Sequence, residues 1–250
     1  EVNAIILDGR MSDHINEGEN ATLVLNQTPF YAESGGQVGD KGVIFSKDVN
    51  FKVIDTQKKI NGLYAHTGTL RKGSISNGDI MSLKVDAENR KKIKANHSAT
   101  HLLHEALRRA LGGHVTQKGS QVSSKKLRFD FSHTKALSDE ELISVESKIN
   151  MLIEKNSSVS TDILSYDDAV KKGALALFGE KYDDEVRVLS MGEDSFSVEL
   201  CGGTHVDNLS EIGSFKLIAQ SSVASGIRRI EAVTGSEAKL SLSIGILCLH

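Results

Sequence analysis

The pattern of apolar and polar positions divides the chain into two regions of different character. Up to about residue 85, apolar residues form short runs or alternate with polar ones, which is typical of β-strands. The predicted strands lie at residues 4–7, 21–25, 42–45, 51–54 and 80–85. Turn-forming residues separate them, namely Asp8-Gly9, Gly18-Glu19-Asn20, Asn61-Gly62 and Asn77-Gly78-Asp79. Many short strands between turns predict a small β-barrel or a β-sandwich, which we place at residues 1–88.

The second region mixes helices with strands. From Ala87 to Leu111 there is no proline or glycine, apolar residues recur at helical spacing, and Gly112-Gly113 ends the run. A second helix is predicted at 138–156, with Ser138 as its N-cap and Glu141 completing a capping box. Further elements are predicted as strands at 121–132, 159–164, 186–189, 195–200, 213–219 and 227–233, and a helix at 166–177. We therefore predict an α+β fold with a mostly antiparallel sheet over residues 89–235, and an unassigned tail at 236–250.

Composition changes this picture mainly by what it excludes. With 30 Lys and Arg against 33 Asp and Glu, the net charge is −3, so any RNA contact must come from local patches and no DNA contact is expected. The two cysteines, Cys201 and Cys248, cannot build a disulfide framework, which fits a reducing, cytoplasmic setting. No secretory signal and no run of about 18 apolar residues is found, so no membrane partner is expected. The start at Glu1 predicts a segment of a longer protein.

Two separate motifs carry metal-binding chemistry. His97-Ser98-Ala99-Thr100-His101 places two imidazoles one turn apart on the first predicted helix. Cys201-Gly202-Gly203-Thr204-His205 follows a predicted strand, and its glycines are expected to let the backbone bend so that both side chains face one centre. Three imidazoles and a thiolate suit tetrahedral zinc. The helical histidines, together with His104 and Arg108, lie away from the apolar stripe and predict a separate polar surface.

Other interpretations of these residues stay open. Histidines at this spacing also occur on solvated surfaces, a lone cysteine is often a small buried hydrophobe, and His104, His114 and His133 are histidines that could be mistaken for ligands. A zinc peptidase is disfavoured because Ser98 stands where those enzymes carry the glutamate base, and Glu105 lies too far along the helix. A purely structural zinc site would normally use more cysteines at closer spacing.

Several further motifs add to this pair. They are Pro29 to Asp40 (PFYAESGGQVGD), Gln117-Lys118-Gly119-Ser120, Leu127-Arg128-Phe129-Asp130-Phe131, Phe178-Gly179-Glu180-Lys181-Tyr182 and Arg228 to Gly235 (RRIEAVTG). In their order and spacing, residues 1–235 resemble the editing region of alanyl-tRNA synthetase. Free-standing editing proteins and the editing domain of threonyl-tRNA synthetase are similar as well.

The resemblance implies a fold, a reaction and a site. It implies an N-terminal β-barrel at residues 1–88 that serves as a tRNA-binding or linker domain. An editing domain at residues 89–235 follows and hydrolyses the ester of tRNA(Ala) carrying serine or glycine. The implied partners are the acceptor end of tRNA(Ala) and the rest of the synthetase in cis. One zinc ion is implied at His97, His101, Cys201 and His205. The implied substrate pocket comprises Thr100, Gln117, Gly35, Gly36, Gln37, Arg128 and Asp130.

Basic clusters are candidate contacts for tRNA phosphates, although each could equally be a solvated charged face. They are Arg90, Lys91 and Lys92 with Lys94, Lys125 and Lys126 with Arg128, and Arg228 with Arg229.

The chemistry explains why such a site is needed. A pocket for alanine cannot strongly exclude glycine or serine, so a second, hydrolytic site is required. We expect Thr100 or Gln117 to hydrogen-bond the serine hydroxyl; the alternative is that Thr100 only packs on its helix and Gln117 lies in a surface turn. The zinc ion either activates water or, with four protein ligands, positions the substrate.

The chain departs from the resemblance at its end. Residues 240–250 form an apolar run where the family continues into a charged helical segment, and no role is assigned to Cys248. No ATP site is recognised, so this segment alone is not expected to charge tRNA. The alternatives are a free-standing editing protein and a zinc-stabilised tRNA-binding module without activity.

Overall fold

A computed structural model describes residues 1–59, 62–176 and 184–243. The chain divides into two compact units, one ending at Arg90 and the other beginning at Lys91. The motif Phe178 to Tyr182 and the residue Cys248 lie outside the described residues. None of the helices that are described is both long and apolar enough to span a membrane. The roles predicted for residues 1–88 and 89–235 stay predictions.

The first unit is built from antiparallel strands. They are β1 (Val2–Leu7), β2 (Arg10–Ser12), β3 (His14–Asn16), β4 (Asn20–Leu25), β5 (Gly42–Phe45), β6 (Asn50–Lys58), β7 (Tyr64–Lys72), β8 (Ser74–Ser76) and β9 (Ser82–Val85). Seven of them form one sheet in the order β2-β1-β4-β7-β6-β5-β9, and β3 pairs with β8. Their inward side chains, among them Ile5, Leu23, Ile44 and Phe51, are fully buried and form the core of this unit.

The predicted closed barrel is not confirmed. Among the described residues, the end strands β2 and β9 of the seven-stranded sheet do not pair with each other. Closure depends on strand tilt and on register across the whole sheet, whereas alternating apolar positions report only that neighbouring segments are extended.

Strand β7 was not predicted from the sequence, because its inward positions are mostly small or polar. Its buried residues are Ala65, His66, Gly68 and Leu70. The buried His66 imidazole is satisfied by the Thr28 hydroxyl at 2.7 Å and by the carbonyl of Leu23 at 3.1 Å. A Cβ at Gly68 would lie 2.0 Å from the carbonyl oxygen of Lys52, so close strand packing explains the glycine.

The second unit is the predicted α+β arrangement with mostly antiparallel sheets. Its helices are α1 (Ala87–Leu111), α2 (Asp139–Lys155), α3 (Tyr166–Lys171) and α4 (Gly235–Ser243), with short 3-10 helices at Glu193–Ser195 and Leu209–Ile212. Its strands are β10 (Gln117–Val122), β11 (Leu127–Ser132), β12 (Ser160–Ser165), β13 (Glu185–Met191), β14 (Ser197–Leu200), β15 (Phe215–Ala224) and β16 (Ile227–Thr234). They form a four-stranded sheet, β10-β11-β16-β15, and a three-stranded sheet, β12-β13-β14.

Helix α1 corrects the prediction of a polar surface. Every residue from Ala95 to His104 is buried, including His97 and His101. The helix is therefore covered on its histidine face as well as on its apolar face. An amphipathic pattern distinguishes apolar from polar faces, but it does not reveal that a polar face will be covered by other polar groups.

The N-cap of α2 is a testable local feature. The Ser138 hydroxyl accepts a hydrogen bond from the backbone N–H of Glu141, and the Glu141 carboxylate accepts one from the N–H of Ser138. We expect Ser138→Ala to lower the free energy of unfolding by about 1 kcal/mol, because orphaned N–H groups lose their acceptor. Urea denaturation measures it, with Ser144→Ala on the exposed middle of the same helix as the control. Equal stability of the two variants would contradict the cap's contribution.

Candidate metal centre

Four side chains from two distant motifs converge in the second unit. One potential ligand atom from each of His97, His101, Cys201 and His205 lies within 4.8 Å of the others. The Cys201 Sγ is 3.6 Å from Nε2 of His97 and 3.3 Å from Nε2 of His205. Tetrahedral zinc, with bonds of about 2.3 Å to sulfur and 2.0–2.1 Å to nitrogen, would separate such atoms by about 3.6 Å. The two distances from Sγ are close to this value, and the four side chains could hold a metal ion.

Helix α1 and the segment after β14 carry these ligands, and hydrogen bonds close to the ligands in sequence hold the two segments in place. The hydroxyl of Ser98 accepts a hydrogen bond from the backbone N–H of Val206, at 3.1 Å. Arg187 of β13 donates to the carbonyls of Cys201 and Gly203, at 3.1 and 2.7 Å. Ser98 and Val206 each follow a histidine of the cluster, so the bond between them fixes the two motifs to each other.

Gly202 does not play the steric part expected of it. Its φ angle is not in the left-handed region, and a Cβ there would meet no atom within 4 Å. The turn between Cys201 and His205 is therefore not explained by backbone strain at this glycine. The hydrogen bonds from Arg187 account for its shape.

A buried carboxylate that sequence reasoning missed completes the centre. Glu199 on β14 is 2% exposed, and its two oxygens lie 2.7 Å from Nδ1 of His101 and 2.9 Å from Nδ1 of His104. Alternate residues of a strand face the same side, so the spacing of Glu199 and Cys201 was a usable signal. His104, which from the sequence could be mistaken for a ligand, contacts this carboxylate and is not part of the four-residue cluster.

Burial and charge oppose each other throughout the centre. Burial alone would lower the pKa of His101, but the charges of Glu199 and Cys201 outweigh it and raise this pKa to about 10. Burial alone would raise the pKa of Glu199, yet His101 and His104 lower it to about 2. The pKa of Cys201 falls well below its ordinary value because His97 and His101 outweigh its burial. The metal-free centre thus favours a thiolate, the ligand form of cysteine.

The predicted pocket residues of the second unit have defined partners. The buried Thr100 hydroxyl donates to the carbonyl of Asn96 at 2.8 Å, so its oxygen keeps only acceptor capacity. Gln117 begins β10 opposite Phe131 and is partly exposed. Arg128 and Asp130 lie on the same face of β11, and the Asp130 carboxylate accepts two 2.7 Å hydrogen bonds from Arg229.

The glycine-rich loop lies in the first unit. Ser34 and Gln37 exchange backbone hydrogen bonds of 3.2 and 2.9 Å. Gly35 and Gly36, at φ angles of 56° and 83°, make the tight turn between them, a conformation that favours glycine. The Gln37 side chain is fully buried. The loop is therefore a tight, hydrogen-bonded turn, and its predicted role beside the pocket stays a prediction.

Several residues of the basic clusters already have partners. Arg90 binds the Asp40 carboxylate and the carbonyl of Pro29. The others with partners are Lys94 with Asp207, Lys126 with Glu231, Arg228 with Gln220 and Arg229 with Asp130. Three other lysines of these clusters are exposed: Lys91, Lys92 and Lys125. Among the described contacts, their ammonium groups make no hydrogen bond or ion pair.

Two family models match separate stretches of the chain. A family model described as "tRNA synthetases class II (A)" matches residues 1–89, and one described as "Threonyl and Alanyl tRNA synthetase second additional domain" matches residues 186–231. The latter match includes Arg187, Glu199, Cys201 and His205. The two matched stretches are thus similar to families of tRNA synthetases.

Individual relatives define the class more narrowly. The alanine–tRNA ligase of Parvibaculum lavamentivorans is 55% identical over 249 residues, 97% of this chain. Those of Rhizorhabdus wittichii and Mesorhizobium japonicum are 52% and 49% identical over 94% and 96% of it. The chain spans 28% of the length of each of these relatives. It is therefore homologous to one segment of alanine–tRNA ligases, and the resemblance seen in its motifs is confirmed.

The electrostatics of His205 predict an acid dependence of stability. Burial, followed by the charge of His97, lowers the pKa of His205 from 6.5 to about 3. Between these values the unfolded chain takes up a proton that the folded chain does not. We therefore expect metal-free protein to lose stability as pH falls from 6.5 towards 3, with this residue contributing at most about 1.4 kcal/mol per pH unit.

Urea denaturation of metal-free protein at pH 7, 5.5 and 4 measures this dependence. His205→Gln should flatten it, whereas His14→Gln, at an exposed histidine of the first unit, should leave it unchanged. The expectation is refuted if His205→Gln has the same acid dependence as the wild type.

Proposed function

We propose that this chain is the editing segment of an alanyl-tRNA synthetase and hydrolyses the aminoacyl ester of Ser-tRNA(Ala) and Gly-tRNA(Ala). The observation that carries the proposal is the convergence of three imidazoles and one thiolate in the second unit. The match of residues 186–231 to a domain shared by threonyl and alanyl tRNA synthetases supports it. The high identity to alanine–tRNA ligases favours an editing segment in cis over a free-standing editing protein.

Zinc is the metal we propose for His97, His101, Cys201 and His205. A mixed nitrogen and sulfur set disfavours magnesium and calcium, which take oxygen ligands, and the donor spacing fits a tetrahedron. When bound, the ion would supply electrostatic attraction for polar groups at the aminoacyl end of the tRNA. Four protein ligands fill a tetrahedron, so activation of water falls to other groups unless the coordination expands.

Thr100 is the residue we propose for recognising serine. Its hydroxyl group donates a hydrogen bond to the carbonyl of Asn96, so its oxygen can accept a hydrogen bond from the hydroxyl of a seryl group. An alanyl group has no hydroxyl to donate, and the site therefore gains a hydrogen bond only with serine. Gln117, Arg128 and Asp130 are proposed to shape the rest of the pocket.

The acceptor end of tRNA(Ala) is the proposed partner, with the remainder of the synthetase in cis. Phosphates are strongly negative, and cations without a protein partner bind them at the lowest cost. Lys91, Lys92 and Lys125 are exposed and fit this role better than the paired cations Arg90, Lys126, Arg228 and Arg229. A cytoplasmic location is part of the same proposal.

Deacylation of Ser-, Gly- and Ala-tRNA(Ala), with metal content measured on the same sample, tests the proposed activity. We expect zinc-loaded protein to hydrolyse the first two and to spare the third. Cys201→Ala should reduce hydrolysis to near the spontaneous rate, because the cluster loses its thiolate. Cys248→Ala is the matched control. Intact ester after incubation with folded, zinc-loaded wild type would instead support a tRNA-binding module without activity.

The ratio of Ser- to Ala-tRNA(Ala) hydrolysis tests the role of Thr100. We expect Thr100→Val to lower this ratio roughly 2- to 10-fold, because one hydrogen bond contributes about 0.5–1.5 kcal/mol. Thr134→Val, at an exposed position of the same unit, serves as the control. An unchanged ratio in Thr100→Val would show that Thr100 only packs on its helix, and Gln117→Ala would then test the second candidate.

A further inference from the structure

Glu199 lies next to the candidate metal centre and contacts His101, one of the four proposed ligands. We infer that Glu199 is a positioning residue that sets the metal affinity of the cluster, and that His104 holds Glu199 in place. This inference rests on the proposed metal site. Neither residue belongs to the four ligands, and neither was assigned a role from the sequence motifs.

The first step concerns which nitrogen of His101 is available. A ligating imidazole must present a ring nitrogen that carries no proton. The Glu199 carboxylate is an acceptor and lies 2.7 Å from Nδ1 of His101, so the proton is held at Nδ1. Nε2 of His101 is buried and makes no hydrogen bond of ordinary geometry within the described residues. When a metal ion takes the place of the proton on Nε2, Glu199 keeps the other proton at Nδ1 and fixes the ring that presents Nε2 to the ion.

The second step concerns what fixes Glu199. His104 lies one turn beyond His101 on α1, and its Nδ1 is 2.9 Å from the second oxygen of the carboxylate. Its ring also packs on Phe129, with the ring centres 5.1 Å apart. Both carboxylate oxygens are therefore engaged by helix α1, and at 2% exposure Glu199 has almost no access to water. The orientation of His101 consequently depends on His104 as well.

The charge of Glu199 contributes in the same direction. A carboxylate bonded to the distal nitrogen of a ligating histidine makes that histidine a stronger donor, and loss of such a partner typically lowers metal affinity by roughly 10- to 100-fold. A neutral amide keeps one acceptor but lacks the charge. Replacement of Glu199 by alanine removes both the acceptor and the charge. Comparing the glutamine and alanine variants therefore separates the effect of the charge from the effect on the orientation of His101.

Metal affinity of the full chain is the direct test. Metal-free protein is titrated with Zn²⁺ against a competing chelator, and with Co²⁺ while the visible spectrum reports tetrahedral thiolate coordination. We expect E199Q to bind roughly 10-fold more weakly and E199A roughly 100-fold more weakly than the wild type. The control is E185Q, at an exposed glutamate of the neighbouring strand β13.

A matched pair of variants tests His104. In H104N the amide nitrogen can replace the Nδ1 donor, so metal affinity should stay close to that of the wild type. H104L fills similar space without a donor and should weaken binding roughly 10-fold. Urea denaturation of the metal-free variants identifies any loss of folding, since a merely structural role would lower stability and leave the affinity of the folded fraction unchanged.

The outcomes separate this inference from the proposed function. Wild-type affinity in both E199A and E199Q would overturn the inference and leave the deacylation activity unaffected. Weakened metal binding in the Glu199 variants, together with a zinc-loaded wild type that hydrolyses no ester, would support the inference and overturn the proposed function. A wild type that binds neither Zn²⁺ nor Co²⁺ would overturn both.

Discussion

The second unit depends on the burial of a polar helix face. Helix α1 carries His97, His101 and His104 into the interior, where they meet Glu199 and Cys201 from the far end of the chain. Buried polar and charged groups are costly unless they are bonded to one another. Here they bond mainly to each other. Burial of the helix face would therefore be costly without the segment after β14, and burial of that segment would be costly without the helix face.

This mutual dependence explains which parts of the fold the sequence predicts well. Helix α1 spans Ala87–Leu111 as predicted, because its apolar spacing and the following glycine pair are local signals. Helix α2 has the predicted capping box at Ser138, which is local as well. Closure of the first sheet depends on pairing between strands far apart in the sequence, and a closed barrel is not confirmed among the described residues.

The residues of the candidate site likewise divide into those that local sequence signals identify and those that only tertiary packing reveals. The four proposed ligands were identified because histidine and cysteine are rare and their spacing within each motif is informative, and the structure brings them together across 104 positions. Glu199 was missed because a glutamate on a strand is ordinarily solvent-exposed, and only tertiary packing shows that it is buried. The pairing of Arg229 with Asp130 was hidden too, since a cation's partner across a sheet depends on register.

The charges of the centre favour occupancy by a divalent cation. Without a metal, a buried thiolate and a buried carboxylate need positive charge, and His101 supplies it only by holding a proton on a nitrogen that would otherwise bind a metal. A divalent ion brings two positive charges against one thiolate and one carboxylate, so the buried group becomes neutral as a whole. His205, which burial keeps uncharged, then contributes a lone pair without adding charge. The same burial that makes the centre costly to fold without metal would therefore favour a divalent ion, because a monovalent ion would leave one negative charge uncompensated.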